Sequence, residues 1–176
     1  MQQRLWYAIC TAKNFEGKVA EKLKKKDYQY YCPHTNVEVK SASRKYTEWK
    51  PLFNGCLFIN VNSQELKKVL GITGVVNTLF KGKDPAIITD KEIRILKQIC
   101  LPNLNITLQK VPFHQLESPN VRVVTDTQTE SNFISYKYRG LDVALPSLGF
   151  KLSVKLQGGT LPVFSEELLP ADKYAA

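Results

Sequence analysis

Apolar positions along the chain change period several times, and each change predicts an element. The run "RLWYAICT" (residues 4–11) is continuous and branched, as a buried strand is. Phe15, Val19 and Leu23 then recur every four residues, which puts one apolar stripe on a helix that Asn14 can cap. "YQYYCPHTNVEVK" (28–40) is strand-like and interrupted by Pro33, so an edge or bend is expected there. The polar stretch "SASRKYTEW" (41–49) predicts a protruding hairpin loop carrying Arg44 and Lys45. "KPLFNGCLFI" (50–59) follows as a strand without a polar side. By strict alternation Leu52, Cys56 and Phe58 point one way and Phe53, Leu57 and Ile59 the other. A small antiparallel sheet normally keeps one face for water, so the second face of this strand calls for a cover.

Ser63 can cap a short helix with Leu66, Val69 and Leu70, stopped by Gly71, and "GVVNTLF" (74–80) reads as another strand. "TDKE" (89–92) has the spacing of a capping box and opens a helix with Ile93, Leu96 and Ile99. Strands and helices in this order predict an α+β sandwich over residues 1–105, with helices covering an antiparallel sheet. Three prolines between 101 and 120 without a sustained period predict a linker over 106–119, and five short strand-like runs over 120–176 predict a small all-β barrel.

The net charge of +9 sharpens this picture once it is located. Residues 1–110 carry 19 Lys and Arg against 9 Asp and Glu, whereas 111–176 carry 6 against 7. A basic first part joined to a near-neutral second part suggests that the first meets a polyanion, nucleic acid being the commonest. Its densest basic stretch is the helix face with Lys18, Lys22, Lys25 and Lys26. That face also reads as ordinary solvated helix surface.

Candidate catalytic chemistry is sparse. The four cysteines, Cys10, Cys32, Cys56 and Cys100, include no C-x-x-C pair and have two histidines to assist them, which is not a zinc pattern. Cys32 and His34 share a strand face by period-two geometry, but no acidic partner is indicated. The glycines form neither a P-loop nor a dinucleotide fingerprint, and no carboxylate cluster suits magnesium. A non-enzymatic binding protein without cofactor or metal is therefore expected. No apolar run reaches the roughly 18 residues of a membrane helix, and no signal-peptide core opens the chain, so a cytoplasmic location without membrane contact is expected.

The segments "WYAICTAKNFEGKVAEKLKKK", "YYCP", "PLFNGCLFI", "GITGVVNTLF" and "PAIITDKEI" together resemble the N-terminal domain of the NusG family of transcription elongation factors. The likeness covers about residues 5–100 and is greatest to the specialised RfaH and UpxY paralogues that antiterminate long operons. It implies an antiparallel four-stranded sheet flanked by helices, followed by a KOW-like barrel. Leu52, Cys56 and Phe58 would line an apolar patch that receives the clamp helices of RNA polymerase, which would supply the missing cover. Relatives of the RfaH type can also mask that patch internally.

The family's usual strand is close to P-L-F-P-G-Y-V-F-V; here Asn54 replaces the second proline and Cys56 the tyrosine. Lys22, Lys25 and Lys26 match positions that in RfaH-type relatives can touch non-template DNA, and Arg44 and Lys45 fall in the hairpin that varies between relatives. The glycine-bearing turn of the KOW signature is replaced by "TDTQTESN", and contact of the barrel with the ribosome or Rho is implied by resemblance alone. The implied activity is suppression of pausing or termination, for the UpxY type on surface polysaccharide operons. The alternative is an RNA-binding or ribosome-associated module that stacks bases on Tyr28, Tyr30 and Tyr31 beside the lysine face.

Overall fold

A computed structural model describes residues 3–41, 44–100, 105–112, 119–130 and 133–155. The chain divides into two units, one of Met1–His34 with Trp49–Ile93 and one of Thr35–Glu48 with Arg94–Ala176. Together the described residues form a mixed α/β structure with three helices.

In the first unit, β1 (Leu5–Thr11) leads into α1 (Glu16–Lys25) and then β2 (Gln29–Tyr31). β3 (His34–Ser41) and β4 (Arg44–Pro51), most of whose residues belong to the second unit, form a separate two-stranded sheet. The chain returns in β5 (Cys56–Val61), followed by α2 (Ser63–Leu70), β6 (Val75–Thr78), the two-residue strands β7 (Phe80–Lys81), β8 (Asp84–Pro85) and β9 (Ile87–Ile88), and α3 (Asp90–Ile99). The main sheet runs β2-β5-β1-β6, and β9 pairs with the early part of β1, so it has five strands where four were expected. Its pairings are antiparallel.

One face of this sheet makes the core. Tyr7 and Ile9 of β1 and Leu57 and Ile59 of β5 pack with Val19 and Leu23 of α1 and with Leu66 and Val69 of α2. The four-residue stripe on α1 therefore does what its spacing predicts. Gly74 lets the chain pass close to α1: its φ is 103°, and a Cβ there would lie 2.7 Å from the Phe15 ring.

Helix starts correct two expectations. Asn14 does not cap α1; it sits at φ 62° in the preceding turn, and Phe15 holds the cap position without a side-chain bond. Asn62, one residue before Ser63, caps α2. Its Oδ1 accepts from Gln64 N at 3.0 Å and Glu65 N at 2.9 Å, and Glu65 Oε2 accepts from Asn62 N at 3.0 Å. Both Asn and Ser cap well, so composition could not separate neighbouring positions. The box at α3 forms as predicted, with Thr89 N donating to Glu92 Oε2 at 2.9 Å and Glu92 N to Thr89 Oγ1 at 3.2 Å.

In the second unit β10 (Asn105–Lys110), β11 (Asn120–Glu130), β12 (Phe133–Leu145) and β13 (Phe150–Lys155) build an antiparallel sheet in the order β10-β13-β12-β11. β10 occupies part of the expected linker. Ile106 and Leu108 are more enclosed than Thr107 and Gln109, an alternation that the flanking prolines obscured. The segment read as a turn at "TDTQTESN" continues β11 as far as Glu130, and two expected short strands merge into β12 across Gly140. The register slips between Val124 and Thr125 opposite this glycine, and a Cβ at Gly140 would collide with the Val154 carbonyl. The expected last strand, "TLPVFSEELLP", lies outside the described residues.

Candidate functional site

β5 buries three consecutive side chains, Leu57, Phe58 and Ile59, so both faces of the main sheet are apolar. Leu57 and Ile59 belong to the helix-packed core. Phe58 turns to the second face, where its register partners are Ala8 on β1 and Tyr31 on β2. The Tyr31 ring stacks on Phe58 at 6.4 Å, and the Phe53 ring meets it edge-on at 5.6 Å. Such pairs add about 0.5–1.5 kcal/mol to the burial of the rings. Trp6 shares this face, and its Nε1 donates to Asp90 Oδ1 at 3.0 Å, tying the start of α3 to β1.

Phe53 was expected on the opposite side from Phe58. The strand is interrupted between them: Cys56 N donates to Phe53 O at 3.2 Å, and Gly55 has φ 69°. Only a type II turn fits a positive φ at Gly55 without one at Asn54. The turn breaks the alternation and swings Phe53 onto the Phe58 side. α1 braces it, because Glu16 Oε1 accepts from Gly55 N at 2.7 Å. Nothing in the local sequence pairs Glu16 with a turn so far along the chain; its position in the first turn of α1 was the available hint.

The three residues expected to line an open patch are thus placed on or beside one region, but not as an open surface. Phe58 is 0% exposed and Leu52 6%, while Cys56 is half-buried. Leu52 N donates to Pro33 O at 2.8 Å, which fixes the chain as it leaves β4. A partner that uses Phe58 must therefore meet a conformation in which this face is uncovered.

Lys22, Lys25 and Lys26 come together at the end of α1. Lys22 Nζ donates to Thr73 O at 3.1 Å; Lys25 and Lys26 are exposed. Lys18 lies over the Phe15 ring, 4.9 Å from its centroid, and of the terminal trio Lys25 and Lys26 are the more exposed cations. Arg44 is exposed and, with Lys45, begins strand β4, where a loop was expected. β4 pairs with β3 in a two-stranded sheet; the Lys45 side chain lies outside the described residues.

Burial pushes the Cys32 thiol up to about 11, with the Glu16 carboxylate adding to the shift. Cys56 is raised to about 12, again first by burial, and Cys10 is raised by the same cause. Cys32 is therefore a thiol at neutral pH, opposite to what a nucleophile beside His34 would need. Among the described residues no group of three His, Cys, Asp or Glu could hold a metal ion, and no helix is long and apolar enough to cross a membrane.

Residues 4–97 match the family described as "Transcription termination factor nusG". Among solved structures the chain is similar to Thermotoga maritima NusG, in work titled "Domain interaction in Thermotoga maritima NusG", at 17% identity and a TM-score of 0.48; the match covers 88% of this chain and 93% of that one. Among curated proteins none matches in sequence.

Proposed function

Because the chain belongs to the NusG family of transcription factors, non-enzymatic proteins that bind RNA polymerase, we propose that it is an antiterminating elongation regulator acting through the polymerase clamp helices. The observation that carries this reading is the apolar second face of the sheet, centred on Phe58 and flanked by Leu52 and Cys56. Three consecutive buried apolar residues in one strand exceed what a half-solvated sheet needs. An apolar groove that accepts a helical pair gives them a purpose. Bridging the clamp to the far side of the cleft would suppress pausing by differential affinity for the closed, elongating state.

Lys22, Lys25 and Lys26 would steady non-template DNA through phosphate contacts, and Arg44 and Lys45 are separate candidates for the same kind of contact. The second sheet takes the place of the KOW-like module, with the ribosome or Rho as its candidate partner, and surface polysaccharide operons are the regulated class we propose. The protein would work in the cytoplasm.

The test is capture of the isolated polymerase clamp by the full chain, before and after nuclease treatment. Retention after nuclease supports the proposal; loss of all binding with the nucleic acid overturns it in favour of an RNA-binding module. Aspartate at Phe58 is a poor probe, since it would bury an unpaired carboxylate and unfold the sheet. Leu52→Ala, checked for retained secondary structure, should weaken clamp capture.

A further inference from the structure

Two of the four cysteines face each other across the sheet. Cys10 of β1 and Cys56 of β5 are register partners. Hydrogen bonds on either side define the kind of pair they make. Thr11 N donates to Gly55 O at 2.8 Å, so Thr11 turns its backbone toward β5; Leu79 N donates to Ala8 O at 2.8 Å, so Ala8 turns its backbone the other way. Cys10 follows Ala8 by the two-residue repeat, which makes Cys10 and Cys56 a non-hydrogen-bonded pair. At such a position the Cα atoms of opposed residues lie about 4.5 Å apart and the side chains are closest. Disulfides span Cα separations of about 4.4–6.8 Å. Both thiols are free and half-buried. Cys32 packs against the helix-covered core and also bears electrostatically on Cys56, but it lies beyond the end of β2 and has no register partner among the cysteines.

We propose that Cys10 and Cys56 are a redox modification site that closes reversibly to a cross-strand disulfide. The oxidant is a low-molecular-weight disulfide of the glutathione class. The thiolate of Cys10, the less enclosed of the two, attacks one sulfur of the oxidant, whose S–S bond breaks; a mixed disulfide forms and one small thiol leaves. The Cys56 thiolate then attacks the Cys10 sulfur and expels the second small thiol. Two protein thiols are oxidised, one small disulfide is reduced to two thiols, and the two protein protons end on those leaving groups. Burial raises both thiols, so closure is slow near neutrality. The short separation of a directly opposed pair strains the bond and makes it easy to reduce. The site therefore responds to sustained oxidation and resets in reducing conditions. Closure would staple β1 to β5 at the 53–56 turn, on the face that carries Phe58.

Full-length protein is equilibrated in glutathione buffers of rising oxidised fraction, alkylated and mapped by mass spectrometry. The expected result is loss of two of the four thiols as one Cys10–Cys56 cross-linked peptide, restored by dithiothreitol. C10S and C56S should each abolish the cross-link, and C32S and C100S should leave it intact. Persistence of all four thiols in oxidising buffer, a mixed disulfide that never closes, or pairing through Cys32 or Cys100 overturns the proposal. Thiol mapping does not depend on clamp binding. Failure of the polymerase reading would therefore appear as no clamp capture by either redox form, with the disulfide still detected.

Discussion

The turn between β4 and β5 offers a sharp test, because two neighbouring substitutions should move stability in opposite directions. Asn54 is exposed at the second position of the type II turn, and Gly55 at the third has φ 69°. Proline is favoured at the second position, where its fixed φ matches the turn. No backbone hydrogen bond from Asn54 N is found in the turn, so Asn54→Pro removes no donor in use. The gain comes from restricting the unfolded chain and should be about 0.4–1 kcal/mol. For a unit of this size that is a rise of about 2–8 °C in Tm. Gly55→Ala should do the reverse. An L-residue held in the left-handed region costs about 1–2 kcal/mol. The new Cβ would also approach Thr11 O to 3.3 Å, where little movement is available without disturbing the Thr11 N to Gly55 O bond. Far-UV circular dichroism during heating, with guanidinium unfolding as a second measure, reads both changes. A loss of stability in Asn54→Pro would refute the turn assignment, and with it the reason given for Phe53 lying on the Phe58 side.

Phe58→Ala should destabilise the first unit by about 3–5 kcal/mol in denaturant titration, since a fully buried ring leaves a cavity in a paired strand; an effect below about 1 kcal/mol would mean that the second face is not packed. Raised thiol pKa values favour the protonated folded state, so stability from Cys32 and Cys56 is complete below the unfolded thiol value near 9 and falls as pH rises toward about 11 and about 12. Unfolding curves between pH 8 and pH 10.5 should show this decline, and C32S should flatten it. If Lys25 and Lys26 contact single-stranded DNA, each alanine replacement should reduce the salt slope of binding by about 0.7. An unchanged slope in fluorescence anisotropy would remove these residues from the interface.

Much of the first unit was legible because its signals are local. Phe15, Val19 and Leu23 define a helix face within three turns, and Thr89 and Glu92 define a helix start within four residues. The apolar character of both sides of β5 was also visible in Leu57, Phe58 and Ile59. The interruption before it was not, because Leu52 and Phe53 look like strand residues while Asn54 and Gly55 carry the turn. β10 was hidden by the prolines around it, although its own residues alternate. At the candidate site the sequence pointed to Leu52, Cys56 and Phe58 as an open surface, whereas Leu52 and Phe58 are buried and Cys56 is half-buried. Burial of Phe58 depends on Tyr31 and Phe53, which approach through sheet pairing and a turn, and a pattern read along one strand contains neither contact.

That misjudged exposure bears on how a polymerase clamp could bind. Full burial of a large apolar side chain is worth about 1.5–3 kcal/mol, so uncovering Phe58 and Leu52 together would cost about 3–6 kcal/mol before any regained chain entropy. At 1.4 kcal/mol for each factor of ten, the binding-competent fraction would be about 1 in 100 to 1 in 10,000, and apparent affinity would fall in proportion. Weakening the cover should then strengthen clamp binding. Tyr31→Ala removes the ring stacked at 6.4 Å on Phe58 from a half-buried position, and its loss should release about 0.5–1.5 kcal/mol of closure. The clamp Kd measured by titration calorimetry should therefore drop roughly two- to tenfold. A clamp that instead recognises the stacked rings as they stand would bind Tyr31→Ala more weakly. That outcome would reject a closed face in equilibrium with an open one and leave the aromatic cluster itself as the contact surface.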